Sequence, residues 1–336
     1  MNDQPDNNSA SIAAARALAT QVLAGDRRAL ARAITLIEST RTDHRRQAET
    51  LLEELLPATG RSLRIGISGP PGVGKSTFIE AFGRHAIEQG KRLAVLAVDP
   101  TSRLSGGSIL GDKTRMEELS RLEQAFIRPT PAGLTLGGVA RRTREALLVC
   151  EAAGFDLIVV ETVGVGQSET AVAEMVDLFL LLLLPGGGDD LQGIKRGIME
   201  LADLIVVNKA DGDLAAAAER SAADVANALR LMQPLHQAWR PEVLRCSALK
   251  NTGIGAIWDR VQAFAAALTA AGEIDARRRA QAKAWLWHEL SDNLLDALRA
   301  HPHVAQKIAD VEASVAAGKM APASAARAVL AAFLGG

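Results

Sequence analysis

Apolar residues follow two kinds of spacing along this chain, and the change between them divides it in three. Over residues 11–56 they recur at helical intervals, with Leu30, Ile34 and Ile37 in one stretch and Leu51, Leu52, Leu55 and Leu56 in another. Breaks at Gly25-Asp26 and Thr42-Asp43 separate three helices, with Asp26 and Asp43 expected as N-caps, and Pro57 and Gly60 close the section. From 61 to about 270, short Val/Ile/Leu runs alternate with helical stretches. Runs at 63–68, 93–98, 125–128, 156–160, 178–184, 204–208 and 242–246 predict strands, and the alternation predicts an α/β fold with a mostly parallel central sheet covered on both faces. In such sheets ligands bind beyond the carboxyl ends of the strands. Beyond 272 the strand-length runs disappear. Residues 276–300 predict one long helix carrying Leu286, Leu290, Leu294 and Leu298 at steps of four, its apolar face widened by Trp285, Trp287 and Leu295. His301-Pro302 breaks it, and two more helical stretches flank Gly318. The expected organisation is a helical N-terminal extension (1–60), an α/β domain (61–270) and a helical C-terminal arm (271–336). Such an apolar arm packs on the core or between subunits, and a homodimer contact is the expectation adopted.

Composition narrows the setting. The chain has 336 residues and a net charge of −1, which gives no global reason to expect a nucleic acid or an anionic membrane as partner. Cys150 and Cys246 stand alone in apolar surroundings, which suits buried thiols in a reducing compartment. The first ten residues lack the basic and apolar regions of a signal peptide. The most apolar run, Leu178 to Leu184, is far below the ~18 residues of a membrane span and reads as a strand buried on both faces. A soluble, cytoplasmic protein is expected. In the N-terminal section the arginines read as a solvated helix face or as an anion-binding surface.

The chemistry begins at Gly69-Pro70-Pro71-Gly72-Val73-Gly74-Lys75-Ser76, with Thr77 behind it, which matches G-x-x-x-x-G-K-[ST] between a predicted strand and a predicted helix. Glycines let consecutive N–H groups turn inward toward phosphate oxygens, and the helix N-terminus adds positive partial charge. Lys75 is expected at the β- and γ-phosphates and the Ser76 hydroxyl at Mg²⁺. The pattern predicts the cradle of a P-loop NTPase, the alternative being a Gly-Pro-rich turn that merely links strand to helix.

Later strand ends carry further polar groups. Asp99 opens Asp99-Pro100-Thr101-Ser102 and reads either as a Mg²⁺ ligand or as a turn opener. The segment from Ser105 to Met116, containing Asp112, reads as a loop ordered by nucleotide with Asp112 near the metal, or as a flexible connector. Glu161-Thr162-Val163-Gly164-Val165-Gly166-Gln167 follows a buried strand. Its glutamate can hold the metal shell or orient the attacking water, Gly164 can offer its N–H to the γ-phosphate, and Gln167 is a weaker candidate for positioning water. A second glycine-rich loop, Pro185 to Lys195, brings Lys195 within possible reach of phosphate or of acidic residues. Asn208-Lys209-Ala210-Asp211 matches N-K-x-D after a strand. Asp211 would accept from guanine N1–H and its exocyclic amine, whereas adenine would leave the carboxylate unpaired. Ser247-Ala248-Leu249 is placed where the S-A-[LK] loop supports the base in GTPases.

The combination of Gly69 to Thr77, Asp99 to Ser102, Gly106 to Met116 and Glu161 to Glu169 closely resembles the MeaB/ArgK family of GTPases associated with methylmalonyl-CoA mutase. The likeness covers nearly the whole chain, with no departure at the matched positions. It implies a slow GTPase that dimerises through its C-terminal helices and acts as a chaperone for an adenosylcobalamin-dependent mutase, gating cofactor delivery and protecting and reactivating the enzyme without binding cobalamin itself. By motif matching, Gly69 to Thr77, Asn208, Lys209, Asp211 and Ser247 to Leu249 would hold GTP. Ser76, Asp99, Asp112 and Glu161 would surround Mg²⁺. Pro185 to Lys195 would form an additional switch relaying nucleotide state to the mutase.

Three other readings share the cradle. A metallochaperone GTPase of the nickel-insertion type usually carries His-rich tracts or Cys motifs, and the six histidines here are dispersed. A phosphotransferase, the activity attached to the ArgK label, would need a site for a phosphate acceptor. A targeting factor for RNA or membrane cargo would want a basic or Met-rich surface, which six methionines and a charge of −1 do not offer.

Overall fold

The computed structural model describes residues 7–39, 41–99, 116–131, 136–162, 168–186 and 196–335. Three helices come first, α1 (Asn7–Leu23), α2 (Arg27–Glu38) and α3 (Thr42–Leu55). Asp26 starts α2 as expected: its backbone is extended and its carboxylate accepts the N–H groups of Arg28 at 2.7 Å and Ala29 at 2.9 Å. Two donors that the first turn leaves without partners are thereby satisfied. The cap expected at Asp43 is corrected, because α3 begins at Thr42, two residues before the start such a cap would give, and Arg41 holds the extended N-cap position. Asp43 lies inside the first turn, where the helix dipole favours a carboxylate and the Arg41 guanidinium binds it at 3.0 and 2.6 Å. Its carboxyl titrates at about 2, chiefly through that hydrogen-bonded arginine.

The α/β body runs β1 (Leu63–Ser68), α4 (Lys75–Glu88), β2 (Leu93–Asp99), α5 (Glu117–Ser120), β3 (Ala125–Pro131), α6 (Leu136–Ala152) and β4 (Leu157–Thr162). It continues through α7 (Ser168–Ala173), β5 (Leu178–Leu183), α8 (Arg196–Met199), β6 (Leu204–Val207), α9 (Ala215–Leu229), β7 (Glu242–Arg245) and α10 (Ile254–Ala270). All seven predicted strands are present, in the order β3-β2-β4-β1-β5-β6-β7 with every neighbouring pair parallel. Every residue of β5 is buried, which accounts for the leucine run: the strand is covered on both faces between β1 and β6. On one face Phe78 and Phe82 of α4 stack at 5.7 Å, and Phe82 meets Trp258 of α10. The N-terminal helices join the body through α2, whose Leu30, Ala33, Ile34 and Ile37 are buried, and α2 packs against α6.

A glycine sets how closely α7 approaches the sheet. A Cβ at Gly66 in β1 would lie 2.8 Å from Val172 Cγ1, 3.0 Å from Phe179 and 3.1 Å from Val176. Gly66→Ala is therefore expected to overpack this contact and lower stability by roughly 1–3 kcal/mol, read as a lower denaturant midpoint. An unchanged midpoint would show that α7 has room to withdraw.

The chain divides into two compact units, one ending at Arg279 and the other beginning at Ala280, and the long helix α11 (Glu273–Ala300) runs through that division. In the second unit α12 (Pro302–Ala316) packs on α13 (Pro322–Leu334), with Val304 and Ala325 buried and the His301 ring edge-on to Phe333. Leu286, Trp287, Leu290, Leu294 and Leu295 of α11 are exposed. Among the described residues no helix is long and apolar enough to cross a membrane.

Candidate functional site

Because the sheet is parallel throughout, every strand delivers its carboxyl end to one edge, and the described residues of the motifs, 69–77, Asp99, Glu161, 208–211 and 247–249, lie at or just beyond those ends. β1 ends at Ser68, and the chain then turns so close to β5 that a Cβ at Gly69 would lie 2.6 Å from the Leu182 carbonyl oxygen. The Val73 N–H closes the turn on the Pro70 carbonyl at 3.3 Å. Gly74 takes φ +90°, a left-handed conformation that favours glycine, and α4 starts at once behind it. The unpartnered N–H groups of a helix start thus open onto the loop. Lys75 folds back over this loop, its Nζ donating to the carbonyls of Gly69 at 2.7 Å and Pro70 at 3.2 Å. Burial pulls its pKa below the ordinary lysine value, against the opposing charges of Glu161 and Glu169. A half-buried ammonium hydrogen-bonded to neutral carbonyls is well suited to receiving anionic oxygens.

Glu161 lies in the next strand over, paired in register with Ile67 of β1 on one side and Ala97 of β2 on the other, and is 8% exposed. The Thr162 hydroxyl donates to the Ser68 hydroxyl at 2.9 Å and ties the end of β4 to the end of β1. Asp99 closes β2 two positions beyond Ala97. Asp112, Gly164, Gln167 and Lys195 lie outside the described residues, as do the glycine-rich segments apart from Met116 and Pro185-Gly186.

The other side of the cradle is built by β6 and β7. Asn208 is buried, and its Nδ2 donates to the Val73 carbonyl at 2.8 Å while its Oδ1 accepts the Ala248 N–H at 3.1 Å. One side chain therefore fastens the phosphate loop to the Ser247-Ala248-Leu249 loop. Lys209, at φ +58°, reaches across to the Gly72 carbonyl at 2.7 Å. The Ala210 N–H bonds the Cys246 carbonyl at 2.9 Å, which sets the next residue, half-buried Asp211, at the mouth of the same strip. Ser247 and Thr252 form a two-way backbone bridge at 3.0 and 3.1 Å, and the Ser247 hydroxyl accepts the Lys250 N–H. The Leu249 side chain is 79% exposed. These hydrogen bonds thus bring residues 69–77, 208–211 and 247–249 together.

Among the described residues no cluster of three or more His, Cys, Asp or Glu is arranged to hold a metal. The oxygen donors at the cradle, the Ser76 hydroxyl and the Glu161 carboxylate, suit a hard cation that takes the rest of its shell from water and phosphate, as Mg²⁺ does. Sequence reasoning gave no role to Glu169, which is 4% exposed in the first turn of α7. Its sequence signal was its place at the end of the Glu161 to Glu169 stretch that carries the family resemblance.

The family model described as Methylmalonyl Co-A mutase-associated GTPase MeaB matches residues 30–303. The chain belongs to the MeaB family. A Caulobacter vibrioides protein named as a GTPase is 57% identical over 313 residues, covering 93% of this chain and 96% of its own. The mouse methylmalonic aciduria type A homolog, mitochondrial, is 51% identical over 94% of this chain and 79% of its own, and Escherichia coli GTPase ArgK is 50% identical over 82% and 84%. The crystal structure of a LAO/AO transport system kinase superposes with a TM-score of 0.75 at 38% identity, covering 100% of this chain and 99% of that one. As a MeaB-family P-loop GTPase, the protein hydrolyses GTP to GDP and phosphate.

Proposed function

We propose that GTP lies along the strip from Gly69 to Leu249 and that its hydrolysis times a chaperone cycle serving an adenosylcobalamin-dependent methylmalonyl-CoA mutase. The observation that carries the nucleotide assignment is the Asn208 clamp. Its hydrogen bonds to Val73 and to Ala248 tie the phosphate loop to the base loop. The N–H groups from Gly69 to Thr77 and the Lys75 ammonium bind the phosphate chain, and Asp211 with Ser247, Ala248 and Leu249 binds guanine. Ser76 and Glu161, with Asp99 and Asp112, would hold Mg²⁺, which would supply positive charge against the phosphate oxygens. Water attacks the γ-phosphorus, the bond to the β-phosphate oxygen breaks, and Lys75 stabilises the charge that moves onto that oxygen. Glu161 orients the water, and Lys195 adds a cation from the loop after β5.

The mutase partner is supported by the description of the matched family and by the name of the mouse relative. In this reading the protein gates delivery of intact cofactor without binding cobalamin, protects the mutase and supports its reactivation. Residues 185–195 relay nucleotide state. The exposed apolar stripe of α11 forms a homodimer contact, and the protein works in the cytoplasm. Such a switch operates only if the GTP and GDP forms differ in affinity for the mutase. The test is GTP turnover alone and with purified methylmalonyl-CoA mutase, with size-exclusion chromatography of the mixture in each nucleotide state. Faster turnover and a co-eluting complex are expected. Absence of a complex in every nucleotide state would remove the mutase as client and leave the GTPase intact.

A further inference from the structure

Backbone pairing between β1 and β4 runs in register from Leu63 with Leu157 to Ile67 with Glu161. At the next position the rung is made by side chains: the Thr162 hydroxyl donates to the Ser68 hydroxyl at 2.9 Å, and both residues are buried. Each keeps a backbone partner on its other side, Ser68 with Leu181 of β5 and Thr162 with Val98 of β2. The hydroxyl pair therefore closes the sheet between the strand that enters the phosphate loop and the strand that carries Glu161.

Alternation along the strands puts that pair behind the site. Ile65 and Ile67 of β1 and Leu157 and Val159 of β4 share one buried cluster with Phe78 and Phe82 of α4, and Glu161 continues their series. Ser68 and Thr162 fall on the opposite face, the one on which Val172 of α7 meets Gly66. Ile158 and Val160 precede Thr162 on that face, so burial alone would be served by another apolar residue. What the hydroxyls add is a directional link between two strand ends. Thr162 is bonded directly to Glu161, and Ser68 directly to Gly69, which lies so close to β5 that a Cβ there would stand 2.6 Å from the Leu182 carbonyl oxygen. The start of the phosphate loop is thus held from the β5 side, and the hydroxyl bond ties the end of β4 to it.

We infer that Ser68 and Thr162 are positioning residues for GTP hydrolysis, their hydroxyl bond holding Glu161 against the phosphate loop from the face of the sheet opposite α4. The inference rests on the assignment of Glu161 as the residue that orients water. Positioning of this kind acts on the transition state, where a misplacement of about 1 Å can cost a hundredfold in rate.

The test is steady-state GTP hydrolysis, with the unfolding midpoint, for the full chain carrying Thr162→Val, Thr162→Ser, Ser68→Ala, the Ser68→Ala/Thr162→Val double substitution and Glu161→Gln. Thr162→Val takes the partner from the buried Ser68 hydroxyl and is expected to lower the midpoint, and to lower kcat by about fivefold to thirtyfold with a smaller change in KM. Thr162→Ser keeps the hydroxyl and should recover most of the kcat. In the double variant both hydroxyls are gone, so the midpoint should return toward the parental value while kcat stays as low as in Thr162→Val. A pair that served stability alone would let kcat follow the midpoint. A parental kcat in Thr162→Val or in the double variant would overturn the inference, and the Glu161 assignment would stand if Glu161→Gln is still impaired. A parental kcat in Glu161→Gln would overturn both. If Thr162→Val does not fold, the double variant and Thr162→Ser decide by the same criteria.

Discussion

Lys75→Ala is expected to weaken GTP binding by about a hundredfold or more, measured by titration with a fluorescent GTP analogue. The lysine is drawn over the loop by the Gly69 and Pro70 carbonyls and is partly desolvated, so its charge is expressed in surroundings that screen it less than water does. Arriving phosphate oxygens would replace neutral acceptors by anionic ones, and the alanine variant forfeits that exchange. The loop itself should persist in the variant. Its turn is closed by Val73 N–H on the Pro70 carbonyl and its far end is held by Asn208, neither of which involves the lysine side chain. Loss of affinity with an unchanged unfolding midpoint is therefore the expected pair of results, and equal affinity in the variant would sink the cradle assignment.

Asp211→Asn is expected to reduce affinity for GTP by about a hundredfold to a thousandfold while improving it for xanthosine triphosphate. A carboxylate can accept both N1–H and the exocyclic amine of guanine. An amide turns one of those positions into a donor that faces a donor. Xanthine carries a carbonyl in place of the amine, and the amide can donate to it. The fold should tolerate the change, because the Asp211 side chain makes no capping bond to the turn that follows, and the loop is set by the Ala210 bond to Cys246. Competition among GTP, xanthosine triphosphate and ATP reads the effect, and an unchanged preference would remove Asp211 from the base site.

Part of this site was readable without a structure because its signals are local. The phosphate loop, the N-K-x-D stretch and the seven strands each depend on residues adjacent in the chain: glycines where the backbone turns inward, and β-branched or leucine runs between breakers. The Asp26 cap is of this kind, since it bonds residues two and three positions on. Asp43 looked equivalent but falls inside its helix, where the Arg41 guanidinium holds its carboxylate instead of a first-turn N–H.

What the sequence determined by itself was the set of parts: an α/β body, a phosphate cradle, a candidate guanine-reading carboxylate and a helical tail. Tertiary structure decided which parts meet. Strand order β1-β5-β6-β7 seats Asn208 between Val73 and Ala248, partners 135 and 40 positions away. The hydroxyl bond between Thr162 and Ser68 spans 94 positions and leaves no trace in local spacing. Hydrogen-bond partners at such separations are chosen by how closely the packed elements can approach, as Gly66 and Gly69 show. A glycine in the sequence permits such an approach, and only the folded chain specifies which side chain fills the space it leaves.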